Sequence, residues 1–232
     1  MTYCVGVLVD DGLVMIADTR TNAGIDNISI YIKLHTLADT DERLLFACTA
    51  GSLSVTQSML SLLEEGLPCL DDTGIARTIG AQPTMFRVAQ LVGEALSTAK
   101  RAIGTTLEGS KVSASASVLV GGRIADGPLT LFQIYAEGNF IECQPDAPFL
   151  QIGELKYGKP ILDRALTYET ALDEAVKVAL ISFDERCART CRSAARSIWW
   201  RSRPTLPANP SVYGCRKTIL TSTSSPPTGA GC

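Results

Sequence analysis

The chain has 232 residues, 46% of them hydrophobic, and a formal net charge of -3, a size and balance that fit one globular domain with a sizeable core. No apolar run of about 18 residues is present to span a bilayer, and the N-terminus lacks the basic n-region and small-residue cleavage site of a signal peptide, so a cytoplasmic protein without membrane contact is expected. The charge is unevenly spread: eight of the 21 Lys and Arg follow Glu185 and none of the 24 Asp and Glu do, leaving a body with 13 basic against 24 acidic residues and a strongly basic tail.

Residues 2–9 alternate loosely and are β-rich, Asp10-Asp11-Gly12 is a hairpin signal, and 13–19 returns as a second strand. With Asp11-Gly12 as the turn, position 2 would face position 21. Residues 28–37 and 43–49 predict another strand pair. "GSLSVTQSMLSLLEEG" (51–66) changes to helical spacing with Leu53, Met59, Leu60 and Leu63 on one face, and 84–100 predicts a second amphipathic helix. "SASASVLVGG", "LTLFQIYAEGNFIE" and "PFLQI" then read as three or four strands, with a turn at Glu137-Gly138-Asn139, before helical periodicity resumes at 155–167 and 169–184. Strands, two helices, strands and two helices in segregated runs point to an α+β layered sandwich.

The chemistry-bearing residues narrow the choice of mechanism. His35 is the only histidine, which excludes multi-histidine metal clusters and HExxH sites, and no GxSxG elbow is present to serve a serine triad. Cys4, Cys48, Cys69 and Cys143 stand wide apart in apolar surroundings, as buried reduced thiols do. Cys187 and Cys191 have no partner pair to complete a zinc site, so no metal is expected. "GELKYGKP" (153–160) mimics a phosphate-binding loop, but Pro160 replaces the hydroxyl residue that would meet magnesium and removes a backbone donor. A turn whose proline starts a helix is the plainer reading.

Thr2 offers a route that needs neither histidine nor cofactor. A small residue at position two permits removal of the initiator methionine, leaving a threonine with a hydroxyl and a free α-amine. That amine has an unperturbed pKa of about 7.7–8.0, so it can act as the base for its own hydroxyl. Such a nucleophile needs a neighbouring cation and a carboxylate to hold it, and Lys33 and Asp18 are the candidates. Singly, Asp18 as a turn cap and Lys33 as a solvated side chain are the simpler readings; together with Thr2 they form a catalytic set.

"TYCVGV…DDGLVMIADTRTNAG…K…CTAGS" resembles the start of proteasome-type β subunits, the N-terminal threonine hydrolases. "ADTRTNAGIDNIS" and "FLQIGELKYGKPILDR" resemble segments of the bacterial proteasome homologue family Anbu, with the similarity running from residue 1 to about 184. The resemblance implies a four-layer αββα sandwich of the N-terminal-nucleophile hydrolase type. It also implies a ring or spiral homo-oligomer and a threonine-type peptidase acting on peptide or unfolded-protein substrates without cofactors. It carries Thr2 over as nucleophile, Asp18 and Lys33 as supporting charges, Gly51 of "TAG" as the oxyanion-hole glycine, and Thr21, Tyr31 and Thr49 as substrate-pocket residues. Glu154 stands where proteasome subunits place a serine. Alternatives left open are a catalytically silent subunit of the same fold and an amidase of small molecules.

The tail departs from this pattern. Related chains continue after "SFD" with a segment bearing an Asx, then Ser and Gly, whereas this chain reads "ERCARTCRSAARSIWW". Codons GAG CGA TGC GCT CGA ACG TGT CGG TCG GCC would encode Glu185 to Ala194 and, read two bases later, give AMRSNVSVG, which resembles the missing segment. The expectation is therefore a proteasome-type domain over 1–184 and an aberrant, frameshifted Pro/Ser/Arg-rich tail over 185–232. Clustered cations beside Trp199 and Trp200 would also suit a nucleic-acid arm, but they follow no helical face, and nucleic acid is not an expected partner.

Overall fold

The computed structural model describes residues 2–22, 28–69, 75–106, 114–190, 195–202 and 218–221. Two long strands, β1 (Tyr3–Val9) and β2 (Gly12–Asp18), are followed by the short pair β3 (Arg20–Asn22) and β4 (Ile28–Ile30), then by β5 (Leu34–Asp39) and β6 (Arg43–Gly51). Helix α1 (Leu53–Glu65), a 3-10 turn at Ile79–Ala81 and helix α2 (Met85–Thr106) lead into β7 (Ala116–Ile124), β8 (Thr130–Ile134), β9 (Phe140–Glu142) and β10 (Phe149–Gly153). Helices α3 (Lys159–Ala165) and α4 (Leu172–Thr190) follow, then strands β11 (Ala195–Ser202) and β12 (Thr218–Thr221).

The strands assemble into two five-stranded antiparallel sheets, β10-β1-β2-β11-β12 and β5-β6-β7-β8-β9, beside the two-stranded β3-β4 ribbon. Alternation along each strand sends side chains to opposite faces, and both faces are covered. Cys4, Leu13, Met15 and Ala17 of one sheet meet Leu44, Phe46, Cys48 and Leu131 of the other in a central core. Tyr3, Val5, Val7, Val14 and Ile16 point outward onto Leu162, Ala175, Ala179 and Phe183 of α3 and α4. Leu45, Ala47, Val118 and Phe132 pack outward onto Met59, Val88, Val92 and Leu96 of α1 and α2. The result is the αββα sandwich, in which every residue of β1 and β2 is buried.

Three expectations are corrected in detail. The first hairpin pairs Val9 with Gly12 and Cys4 with Ala17, so the turn is Asp10-Asp11 rather than Asp11-Gly12. Continuing that register sets Tyr3 opposite Asp18 and Thr2 opposite Thr19, not residue 21. The predicted strand 28–37 is split, because at 31–33 the chain leaves the ribbon and joins the second sheet, where the Lys33 carbonyl accepts the Thr49 N–H at 2.9 Å. The buried face of α1 is Val55, Thr56, Met59 and Leu63, with Leu53 and Leu60 at its margins. The turn at Glu137-Gly138-Asn139 forms as predicted, with the Tyr135 N–H donating to the Asn139 carbonyl at 2.9 Å. Pro160 stands in the first turn of α3.

Helix α4 runs across residue 184, and the β11 backbone lies antiparallel to β2, with Arg196 opposite Asp18 and Ser202 opposite Gly12. The side chains of Cys187, Trp199 and Trp200, and all of Cys191, lie outside the described residues. No helix among the described residues is long and apolar enough to cross a membrane.

Candidate active site

Thr2 precedes the first residue of β1 and is held as if it were already in the strand. Its carbonyl accepts the Glu154 N–H at 2.8 Å, one step beyond the Tyr3–Gly153 pair that closes the ladder to β10. This close approach requires glycine at 153. Its φ is +89°, and a Cβ there would sit 2.1 Å from the Thr2 carbonyl oxygen.

Because successive side chains alternate, Tyr3 enters the outer core while Thr2 faces the other way. There it meets Lys33, whose ammonium donates to Thr2 Oγ1 at 3.0 Å and to Asp18 Oδ1 at 2.5 Å. Asp18 ends β2 and is 3% exposed; Lys33 leads into β5 and is 5% exposed. A buried carboxylate and ammonium each carry a desolvation cost that the partner offsets only when the contact is close, and here it is. With one N–H directed at the Asp18 carboxylate, the ammonium still has donors for the hydroxyl. A hydroxyl oxygen that accepts from a cation is stabilised as it gains negative charge, so the arrangement lowers the cost of forming an alkoxide at Thr2.

Gly51 ends β6 at a φ of +104°, and a Cβ there would lie 2.4 Å from the Ser115 carbonyl oxygen. It lines one small cleft together with Thr2, Lys33, Thr49, Ala50, Leu53 and Thr56. A second, more open cleft of about 510 Å³ lies on the other side of Gly51, between Ser52, Ser115, Ser117 and Gly153.

Thr49 is buried in the cleft wall, with its hydroxyl 3.4 Å from Nε2 of His35. His35 is half-buried on β5. Tyr31 is exposed and its side chain does not line the cleft; its N–H donates to the Thr19 carbonyl at 2.7 Å. Thr21 lies on β3, paired with Ser29, and its side chain is outside the described residues. The structure thus brings Thr2, Asp18, Lys33, Thr49 and Gly51 to one place.

Beneath them, Cys4 donates to the Thr49 carbonyl at 3.6 Å. Burial above all, then a hydrogen bond with Cys48 and the negative charge of Asp18, push its thiol well above the usual range. That thiol lies beneath the cleft, whereas the hydroxyl of Thr2 is in its lining.

Solved structures share both the fold and much of the sequence. Anbu from Yersinia bercovieri, described as an ancestral beta-subunit, is 39% identical over 86% of this chain and 81% of its own, with a TM-score of 0.75. Anbu from Pseudomonas aeruginosa, solved as a helical assembly, is 38% identical over 94% of this chain and 86% of its own, with a TM-score of 0.80. The chain belongs to the Anbu family. A Gly-1 mutant of Anbu from Hyphomicrobium sp. strain MC1 aligns over 96% of this chain and 88% of its own at 37% identity, with a TM-score of 0.81. No protein-family model and no curated protein matches the sequence. The αββα sandwich described above is the N-terminal-nucleophile fold of these Anbu structures.

Sequence reasoning missed the residues that hold the Anbu cleft from behind. Gln151 donates to the Tyr3 hydroxyl, which lies 3.1 Å from the Ser182 hydroxyl. The only signal was one polar residue inside each of two apolar segments, "PFLQI" and "VALISF". Thr56 and Leu53, both on the first turn of α1, were likewise read as helix residues only.

Proposed function

We propose that this Anbu chain is an N-terminal threonine hydrolase that cleaves peptide amide bonds within a ring or spiral of identical subunits in the cytoplasm. The observation that carries the reading is the bridge from the buried Lys33 ammonium to Thr2 Oγ1 and to Asp18 Oδ1. Removal of Met1 frees the Thr2 α-amine. The amine takes the hydroxyl proton as Oγ1 attacks the substrate carbonyl carbon. Lys33 stabilises the attacking oxygen, Asp18 pairs with Lys33 and fixes its direction, and the Gly51 N–H receives the oxyanion, a contact worth about 10²–10³ in rate. The C–N bond then breaks, the leaving amine accepts the proton, and an ester on Thr2 remains. Water, deprotonated by the same α-amine, releases the acid and restores the hydroxyl. Thr49, in the cleft wall, is the substrate-pocket residue of this reading, and neither metal nor cofactor enters the cycle.

Self-assembly is supported by the helical assembly of the Pseudomonas aeruginosa relative. A chamber of that kind would admit small or unfolded substrates and exclude folded ones. The domain over 1–184 carries the chemistry, and residues 185–232 are a frameshift product in this reading.

The test is intact mass spectrometry with and without an α′,β′-epoxyketone, whose ring adduct requires both the threonine hydroxyl and its free amine. Loss of Met1 and one adduct on Thr2 is the expected result. A mass that retains Met1, or takes no adduct, overturns the hydrolase reading in favour of a silent subunit. Cleavage of small amides with no turnover of peptides would replace peptidase with small-molecule amidase.

A further inference from the structure

Directly behind Thr2, in an otherwise apolar layer, three polar side chains are buried together. Tyr3 and Ser182 are fully buried and Gln151 is 6% exposed. The Gln151 amide donates to the Tyr3 hydroxyl at 2.5 Å, that hydroxyl lies 3.1 Å from the Ser182 hydroxyl, and Ser182 donates to the Ala179 carbonyl at 2.7 Å. The ring of Tyr3 meets Phe183 edge-on, with centroids 5.5 Å apart. Gly158 closes the site from above: a Cβ there would fall 2.2 Å from the Tyr3 hydroxyl. Polar groups cost free energy in such a place unless every member is bonded, and an apolar trio would fill the same space without that demand. What the network adds is direction, because hydrogen bonds fix an orientation that apolar packing leaves soft.

We infer that Tyr3, Gln151 and Ser182 form a positioning device for Thr2, resting on the threonine-hydrolase reading above. Residues 2 and 3 share a strand backbone, so the azimuth of the Tyr3 ring sets that of the Thr2 side chain on the opposite face. The device ties that azimuth to β10 through Gln151 and to α4 through Ser182. Tyr3 is a positioning residue and touches no substrate. Its loss therefore shifts Thr2 Oγ1 relative to Lys33 and Gly51 and slows bond formation, leaving binding in the cleft unchanged.

The experiment measures the epoxyketone reaction of the full chain as a maximal inactivation rate and a half-saturating concentration. Tyr3→Phe is compared with Ser182→Ala and with Leu96→Ala, a buried α2 residue in the other helix layer. Tyr3→Phe and Ser182→Ala should lower the rate about ten- to a hundredfold, the scale of a small misplacement of a reacting group, with half-saturation within about twofold of wild type. Leu96→Ala should lower Tm without slowing the rate. If Tyr3→Phe does not fold, Ser182→Ala, which removes a single oxygen, reads the same quantity. Wild-type rates in both polar variants, or an equal slowing in Leu96→Ala, overturn the positioning role and leave the hydrolase reading intact. A wild-type chain that takes no adduct overturns both.

Discussion

Replacing Asp18 by Asn keeps the shape of the side chain and removes its charge. The Asp18–Lys33 pair has side chains only 5–6% exposed and a 2.5 Å contact, so the ammonium would remain buried without a counter-ion. Breaking a buried pair from one side costs about 3–5 kcal/mol. At about 2–4 °C per kcal/mol for a chain of this size, Tm should fall by about 6–20 °C. The double variant Asp18→Asn/Lys33→Met removes both charges, and most of the lost stability should return, because no unpaired ion is left. Thermal unfolding followed by circular dichroism measures all three proteins at equal concentration. The epoxyketone adduct separates structure from chemistry, since the double variant should be stable yet unreactive. A single variant that loses less than about 2 °C, or a double variant no more stable than the single, would refute the claim that Asp18 holds a charged Lys33.

Three further outcomes are expected. Gly51→Ala should cost about 2–4 kcal/mol, since it combines a left-handed backbone with a Cβ 2.4 Å from the Ser115 carbonyl, and it should abolish adduct formation; unchanged Tm and reactivity would show that β6 can end differently. Arg77 grips Glu94 through two hydrogen bonds of 2.6 and 2.8 Å, which hold the Glu94 carboxyl below its ordinary range. The stability so gained is present above about pH 4.3, the unfolded value, and is lost as pH falls through the depressed one. Arg77→Met should therefore flatten the acid limb of the stability curve, by no more than about 1 kcal/mol for so exposed a pair, and an unaltered limb would remove that assignment. Reading the gene across codons 184–194 should reveal a string that encodes a family-like Asx-Ser-Gly segment in another frame; codons incompatible with that frame would end the frameshift idea.

Much of the layer order was legible from the segregated runs of strands and helices, while the burial of β1 and β2 on both faces was not, since residues 2–9 alternate loosely. "YCVGVLV" and "GLVMIAD" are seven-residue runs without an exposed position, and such runs need cover above and below. The details that failed share a cause, which is that local signals admit two frames. Asp10-Asp11-Gly12 can centre a two-residue turn at either of two places, and the β1–β10 and β2–β11 pairings, remote in sequence, go with the register observed. Helix α1 has leucines on several sides, so its inner face was set by what it packs against, and Val55 and Thr56 displaced Leu53 and Leu60. The break at 31–33 has no local signal, since a chain moving from one sheet to another need not change composition.

Of the site, the hairpin signal already sets Thr2 near the end of the strand that carries Asp18, but nothing in the spacing of Lys33 specifies that it meets them. What brings them together also answers why a threonine at position two is followed at once by a strand. Terminal residues fray unless they are tied down, and the proposed chemistry needs a hydroxyl and an amine on the terminal residue held within a few tenths of an ångström of Lys33 and Gly51. Entering the ladder at Tyr3, with β10 on one side and β2 on the other, leaves the terminus no slack. The Glu154 N–H then fixes the Thr2 carbonyl, and glycine at 153 permits the approach. In the threonine-hydrolase reading, the ladder that begins at Tyr3 is therefore what gives the Thr2 hydroxyl its fixed position beside Lys33.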